Sequence, residues 1–417
     1  MNQTRKPGST GVPAAIAALD RDDPLADRRD HFVLPDGIYL DGNSLGPMPA
    51  TVAARLRHCV EQEWARGLVG SWNTAGWIDL PHRVAERLAP LLGTTADRVQ
   101  IGDSTSINLH KLLHLALDRN PDRRVIVTEA GNFPTDLYIL DGVAQRRRIE
   151  LRRVAAPDLD AALDDSVAVL VLSHVNYRSG ARHALEGLTR AAHARGILVV
   201  WDLAHSAGAL PLALDRSGAD FAVGCGYKFL NGGPGAPAWA WVHPRHDGGW
   251  QPEIRGWFGH AQPFAFEPDY RPASGPTALA VGTPPILGLT ALDEALKAFE
   301  GIDMAAVQRK SERLFDCFRD WLQPTLFRHG FELLTPLAAE QRGSQLSLRH
   351  DHAWPICRAL IDAGVTGDHR PPDVLRFGLT PLYTRFSDLW RAAETLRAIM
   401  DDRRWDRPEY RQRTTVT

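Results

Sequence analysis

Through the middle of the chain, short and nearly continuous apolar runs alternate with longer stretches of helical periodicity. The runs Arg124–Thr128, Ile149–Val154, Val167–Leu172, Ile197–Trp201, Phe221–Val223 and Ala238–Val242 read as strands. VAVLVL, at 167–172, shows no polar alternation, which suits a strand covered on both faces. A helical pattern lies between Leu172 and Ile197 and ends at Arg195-Gly196, where glycine suits the positive φ common just past a helix C-terminus. Strand, helix, strand order predicts parallel strands joined by crossovers.

Upstream, YLDGNSLGPMP at 39–49 is an irregular loop, and helical periodicity runs from about Ala50 to Arg66. Helical patterns dominate Leu289–Leu322, and a mixed α+β texture follows to about Ile399. Residues 1 to about 15, and the polar tail from Arg403 to Thr417, lack periodicity and are expected to be loose. The predicted fold class is α/β, with a mostly parallel sheet. The expected division is an N-terminal segment (1–49), a large α/β domain (50–288) and a small C-terminal α+β domain (289–417).

The 417 residues, 44% of them hydrophobic, suffice for two packed domains and a deep, dry site. A net charge of −2 gives no global electrostatic footprint for nucleic acid or an acidic membrane. The run Arg146-Arg147-Arg148 reads as a solvated face. No stretch approaches the length of a membrane helix, and the start MNQTRKPGST has no apolar signal region. Cys59, Cys225, Cys317 and Cys357 are spaced for neither a zinc site nor a disulfide framework. The expectation is a soluble cytoplasmic protein without a structural metal.

Only five lysines occur among 48 basic residues, and Lys228 alone sits in an apolar, glycine-rich setting, GCGYKFLNGGPG at 224–235. The glycines let backbone approach a ligand closely. Desolvation disfavours a charged amine, as Schiff-base chemistry requires. A lysine snorkelling from a turn is the alternative. Asp202 ends the strand before it, in WDLAH, where ligands bind in open parallel sheets; a helix N-cap is its other reading. Facing one cavity, the two meet the needs of a pyridoxal phosphate (PLP) site: a carboxylate for the ring nitrogen and an amine for the aldehyde. The segment GDSTSINLH at 102–110 opens an apolar helix with small hydroxyl residues, suited to a phosphate or to simple capping. No P-loop, HExxH, GxSxG or CxxC pattern competes.

With these motifs in place, the chain from about Tyr39 to Phe386 resembles the kynureninases, members of the aminotransferase class-V group of fold-type-I PLP enzymes. Asp202-x-x-His205 and Tyr227-Lys228 are shared by the class. GNSLG (42–46), NFPTD (132–136), WFGH (257–260) and GTPPI (282–286) are more specific.

The resemblance implies Lys228 as the Schiff-base lysine, Asp202 as the ring-nitrogen partner and His205 as its neighbour at the ring. It implies Thr105 and Ser106 in the phosphate turn, Phe133 stacked on the ring, with Asp136 in the same motif, and Ser173 as a cofactor contact. Tyr227 resembles a phosphate contact and candidate proton donor. Trp257 and Thr283 resemble phosphate contacts reaching in from a second subunit, which implies a homodimer; some relatives carry asparagine at the position of Thr283. Arg376 resembles the substrate-carboxylate arginine, a bidentate role that guanidinium suits, with Asn43 and Ser44 near the substrate. Trp64, Trp72 and Trp77 fall in an aromatic-rich stretch that can flank an aryl ketone or simply pack. The implied activity is hydrolysis of L-kynurenine, or its 3-hydroxy form, to the corresponding anthranilate and L-alanine in tryptophan breakdown. A cysteine desulfurase or lyase of the same class and a non-catalytic PLP-binding regulator are the rivals. The first needs a reactive cysteine on a mobile loop, the second an added DNA-binding module.

Overall fold

A computed structural model describes residues 11–249 and 251–413. Its centre is a seven-stranded sheet. The strands are β1 (Val99–Ile101), β2 (Val125–Glu129), β3 (Glu150–Val154), β4 (Val167–Ser173), β5 (Leu198–Asp202), β6 (Phe221–Gly224) and β7 (Trp239–Val242), in spatial order β1-β7-β6-β5-β4-β2-β3. The pairs β2–β3, β2–β4, β4–β5 and β5–β6 are parallel. β4 is buried at every residue, as its unbroken apolar run requires. Gly196 has φ +68 beyond the helix Leu185–His193, the conformation expected of it.

The sheet is mostly parallel, as expected, and its exceptions lie at one edge. β7 runs antiparallel to β6, and β1 antiparallel to β7. A parallel return needs a long crossover, usually helical. The 225–238 connection contains no helix, so the chain doubles back beside β6. That connection carries Lys228.

Trp201, Trp239 and Trp241 are fully buried within the central core. A second core forms around Phe315, Phe318, Leu346, Phe377 and Leu389. It lies on a four-stranded antiparallel sheet ordered Asp368–Arg370, Val374–Gly378, Gln345–Arg349, Glu332–Leu333. The N-terminal segment joins this region: Ile38–Tyr39 pairs in parallel with Val365–Thr366. Helix Ile286–Leu296 packs instead in the central core through Leu289, Leu292 and Leu296.

The termini are more ordered than their composition predicts. Residues 1–10 and 414–417 lie outside the described residues, but Ala14–Arg21 is helical, with Ile16 buried in the second core. Pro408–Arg411 forms a helical turn that buries Tyr410 there too. Ile16 with Val12 and Leu19, and Tyr410 with Trp405, hold the two segments on that core. The helical pattern at 50–66 appears as Val52–His58 continuing in wider π-type turns to Gly67.

Lys310 and Asp23, both nearly fully buried, form an ion pair at 2.6 Å that ties the N-terminal segment to helix Met304–His329. Asp23→Ala strands a buried ammonium and is expected to cost about 3–5 kcal/mol. In urea unfolding the double variant Asp23→Ala/Lys310→Met should recover most of that loss; no shift in midpoint for the single variant would refute the pair's importance.

Candidate active site

The carboxyl ends of β4, β5 and β6 are level, because Ser173 pairs with Asp202 and Asp202 with Val223 in the strand register. Above them opens a cavity of about 510 Å³. Ser173, Asp202 and His205 line it from the strand ends, Tyr227 and Lys228 from the β6–β7 connection, Phe133 and Asp136 from the start of helix Pro134–Arg147, and Thr105 and Ser106 from the start of helix Thr105–Arg119. The cavity thus collects nine of the residues singled out above.

Lys228 Nζ lies 3.0 Å from His205 Nε2 and 5.6 Å from the Phe133 ring centre. His205 is held far below the usual imidazole range, by burial first and then by the charges of Lys228, Arg376 and Arg370. It is therefore a neutral neighbour for the amine, and its Nδ1 has no partner among the described residues.

Asp202 is buried and accepts a 2.7 Å hydrogen bond from the Ala204 N–H. Burial raises its pKa, opposed by Lys228 and that N–H. Asp136 is also buried and is raised well above the carboxylate range by burial and by the charge of Asp202. Two carboxyls this close do not both ionise; Asp136 is the neutral one and Asp202 carries the charge. Ser173 Oγ donates to Asn132 Oδ1 at 2.5 Å, fixing the NFPTD turn against β4.

The first turn of the Thr105–Arg119 helix offers free N–H groups to an anion. Ser104 caps it, accepting from the Ile107 N–H at 3.4 Å, and Asn108 Nδ2 donates to the Gly102 carbonyl at 2.9 Å. Asp103 sits at φ +53 and pairs with the buried Lys111, whose Nζ also donates to the Leu279 carbonyl at 2.6 Å.

The remaining singled-out residues stand outside the lining. Asn43 is buried, with Nδ2 3.5 Å from Gln345 Oε1. Ser44 Oγ donates to Asp368 Oδ2 at 2.8 Å. Their loop is tied to the lysine segment by the Gly46 N–H, which donates to the Tyr227 carbonyl at 2.9 Å; a Cβ on Gly46 would collide with the Lys228 carbonyl. Arg376 is fully buried, and its Nη1 donates to the carbonyl of the cavity-lining residue Tyr177 at 2.6 Å. Trp257 is 39% exposed within an aromatic cluster with Phe258, Phe264 and Phe266, and Thr283 is exposed. Trp64 is exposed, Trp77 bonds Glu63 at 2.8 Å, and Trp72 packs on Trp77 and Phe258.

Residues 307–396 match the family described as Kynureninase C-terminal domain. Kynureninases of Burkholderia mallei and Burkholderia pseudomallei are each 49% identical over 408 residues, covering 96% of this chain and 98% of theirs. That of Pseudomonas fluorescens is 46% identical over the same shares. The chain belongs to the kynureninase family. Among solved structures, the apo cysteine desulfurase of Thermococcus onnurineus NA1 superposes with a TM-score of 0.75 at 17% identity, covering 95% of this chain and all of that one. A cysteine desulfurase of Escherichia coli gives 0.75 at 18%, covering 91% and 98%. At that identity the likeness shows the fold alone, the fold-type-I architecture expected.

Within this kynureninase-family site, sequence reasoning missed Asp368, Arg370, Tyr177 and the Asp103–Lys111 pair. Asp368 directly faces Arg376 across adjacent strands, a register that no local motif announces. The signal available for Lys111 was its place as a second lysine inside an apolar helix.

Proposed function

We propose that this chain hydrolyses L-kynurenine, with 3-hydroxykynurenine a second candidate, to the corresponding anthranilate and L-alanine, using PLP. The observation that carries the reading is near-full-length identity to kynureninases in a chain whose cavity joins Lys228, Asp202 and a helix N-terminus. The residues fit the cofactor: an ionised buried Asp202 calls for a cationic partner such as a protonated ring nitrogen, and buried His205 Nδ1 and Asp136 Oδ2 lack partners among the described residues. Thr105 and Ser106 would hold its phosphate, Phe133 its ring face, and Lys228 its aldehyde carbon. When bound, the cofactor supplies an electron sink conjugated to the substrate α-carbon.

Lys228 then takes the α-proton and His205 stays neutral beside it. Asp202 keeps the ring nitrogen protonated. Tyr227, whose phenol burial raises above its usual range, keeps its proton near neutral pH and donates it in the later transfers. Water adds at the γ-carbonyl; the Cβ–Cγ bond breaks, the aryl fragment leaves as the acid, and Cβ gains the proton that makes it alanine's methyl. Arg376 would hold the substrate carboxylate, with Asn43 and Ser44 beside it.

Exposed Trp257 and Thr283 are suited to completing a neighbouring copy's site, so the working unit in this reading is a homodimer in the cytoplasm. No helix among the described residues is long and apolar enough to cross a membrane. The two cores support a division into a large and a small domain, with the boundary nearer Met304 than 288, since Leu289–Leu296 packs centrally.

A desulfurase reading lacks its nucleophile. Cys59, Cys225 and Cys357 are buried, and burial raises the thiol pKa of all four cysteines. The deciding assay incubates protein and PLP with L-kynurenine and follows anthranilate and alanine in equal amounts. Sulfide from L-cysteine with no anthranilate would overturn the proposal.

A pH effect follows from Asp41. Burial, then the charge of Asp368, pushes its carboxyl up to about 7, against Ser44 and Arg376. Arg370, Tyr39, Tyr383 and Cys357 are the other groups that sense it. Its proton is present below that pH and lost above it, which adds a negative charge beside the carboxylate site. KM for kynurenine should therefore rise as pH passes about 7, and Asp41→Asn should flatten that rise. An identical pH profile in the variant excludes Asp41 as the cause.

A further inference from the structure

Arg376 has little left to offer a ligand. A guanidinium has five N–H groups. Its Nε donates to Asp368 Oδ1 at 2.9 Å and its Nη2 to Asp368 Oδ2 at 2.5 Å, a two-pronged contact that fills one whole edge. Nη2 also donates to Ser44 Oγ at 2.8 Å and Nη1 to the Tyr177 carbonyl at 2.6 Å. Among the described residues one N–H remains without a partner, enough for one carboxylate oxygen but not for both.

Arg370 lies beside it and is more open. Its side chain is 31% exposed, against 1% for Arg376. Its Nη2 lies 2.7 Å from Asp368 Oδ2 and 3.0 Å from Ser44 Oγ, and Nη1 reaches only the His369 carbonyl at 3.3 Å. Among the described residues, two of its N–H groups find no partner. Both guanidiniums bond the single carboxylate of Asp368. Below about pH 7, where Asp41 holds its proton, the cluster is one negative charge short.

Its position is next to the cavity. His205, on the wall, senses the charges of both arginines. Tyr177 lines the cavity, meets Phe133 edge-on at 5.2 Å, and is close enough for its phenol to influence Arg370.

We propose that Arg370 is a second substrate-carboxylate residue, taking the oxygen that Arg376 cannot, while Asp368 and Ser44 hold the two guanidiniums side by side. The proposal rests on the amino-acid substrate of the reading above. Asp368 is on this view a positioning residue: it fixes one edge of Arg376 and offsets the repulsion between the arginines.

The test is spectral titration of the PLP-loaded protein with L-alanine, which reads carboxylate binding without turnover. Loss of a charge-assisted contact should weaken alanine binding by Arg370→Gln roughly ten- to hundred-fold, with a smaller loss for Arg370→Lys, which keeps the charge. Visible absorbance and melting temperature should stay as in the parent protein. With L-kynurenine, the same variant should raise KM by a similar factor and leave kcat within about three-fold, the pattern of a binding contact. Equal alanine affinity in Arg370→Gln and the parent overturns the proposal, whether or not kynurenine is turned over. Absence of anthranilate from the parent protein overturns the functional reading instead, so the two failures are separable.

Discussion

Lys228→Ala is expected to abolish covalent attachment of the cofactor and to lower anthranilate release by about four orders of magnitude. One side chain has two tasks in this reading: it bonds the cofactor's aldehyde carbon, and it moves the α-proton. Loss of a positioned acid–base group alone costs about 10²–10⁴ in rate, and loss of the covalent link adds to it. The fold should tolerate the change, because among the described residues Nζ hydrogen-bonds only to His205 and the side chain lies on the cavity wall. Borohydride reduction followed by mass measurement reads the covalent link, and anthranilate release reads turnover. A Lys228→Ala protein that keeps its reduced adduct mass or its normal rate would falsify the assignment.

The parts of this site legible in the sequence are those fixed by local rules. Asp202 and Ser173 end apolar runs, and the ends of parallel strands are where such folds place ligands. Strand register then sets those two side by side. Thr105 and Ser106 open a helix, and a helix start is recognisable from its small polar residues. The parts that stayed hidden depend on long-range geometry. Asp368 meets Ser44 across 324 positions, and Arg376 meets Tyr177 across 199. The direction of β7 was hidden for a similar reason. A strand's own residues record its burial, while its direction depends on the connection before it. Trp257 and Thr283 lie outside the cavity lining; in the dimeric reading proposed above they would serve a second copy's site, a role that no local rule within one chain records.

That division bears on substrate choice. In the proposed reading the residues found by local rules would form a cofactor site that any member of the fold could use, and desulfurases share that fold with this chain at under 20% identity. What separates the activities then lies in groups that meet the substrate side chain rather than its α-carboxylate, which cysteine and kynurenine have in common. The absence of an activated thiol among the four cysteines points the same way.

Asp202→Asn separates charge from shape at the centre of the site. Asparagine keeps an oxygen to accept the Ala204 N–H at the 2.7 Å contact, so the turn after β5 should hold and Lys228 should still attach the cofactor. What is lost is the negative charge that keeps a ring nitrogen protonated, and with it the electron sink. Electrostatic terms of this kind, in a water-excluded site, are worth about 10²–10³ in kcat each, and kcat is expected to fall by at least that factor with little change in cofactor loading. The substitution has a second readout in the neighbouring carboxyl. Burial and the charge of Asp202 together hold Asp136 in its neutral form. With that charge gone, the Asp136 pKa should drop, and any spectral transition it controls should move to lower pH. A variant that binds PLP, keeps the parent kcat and shows an unmoved titration would mean that Asp202 only caps its turn, the structural role its position at a strand end also allows.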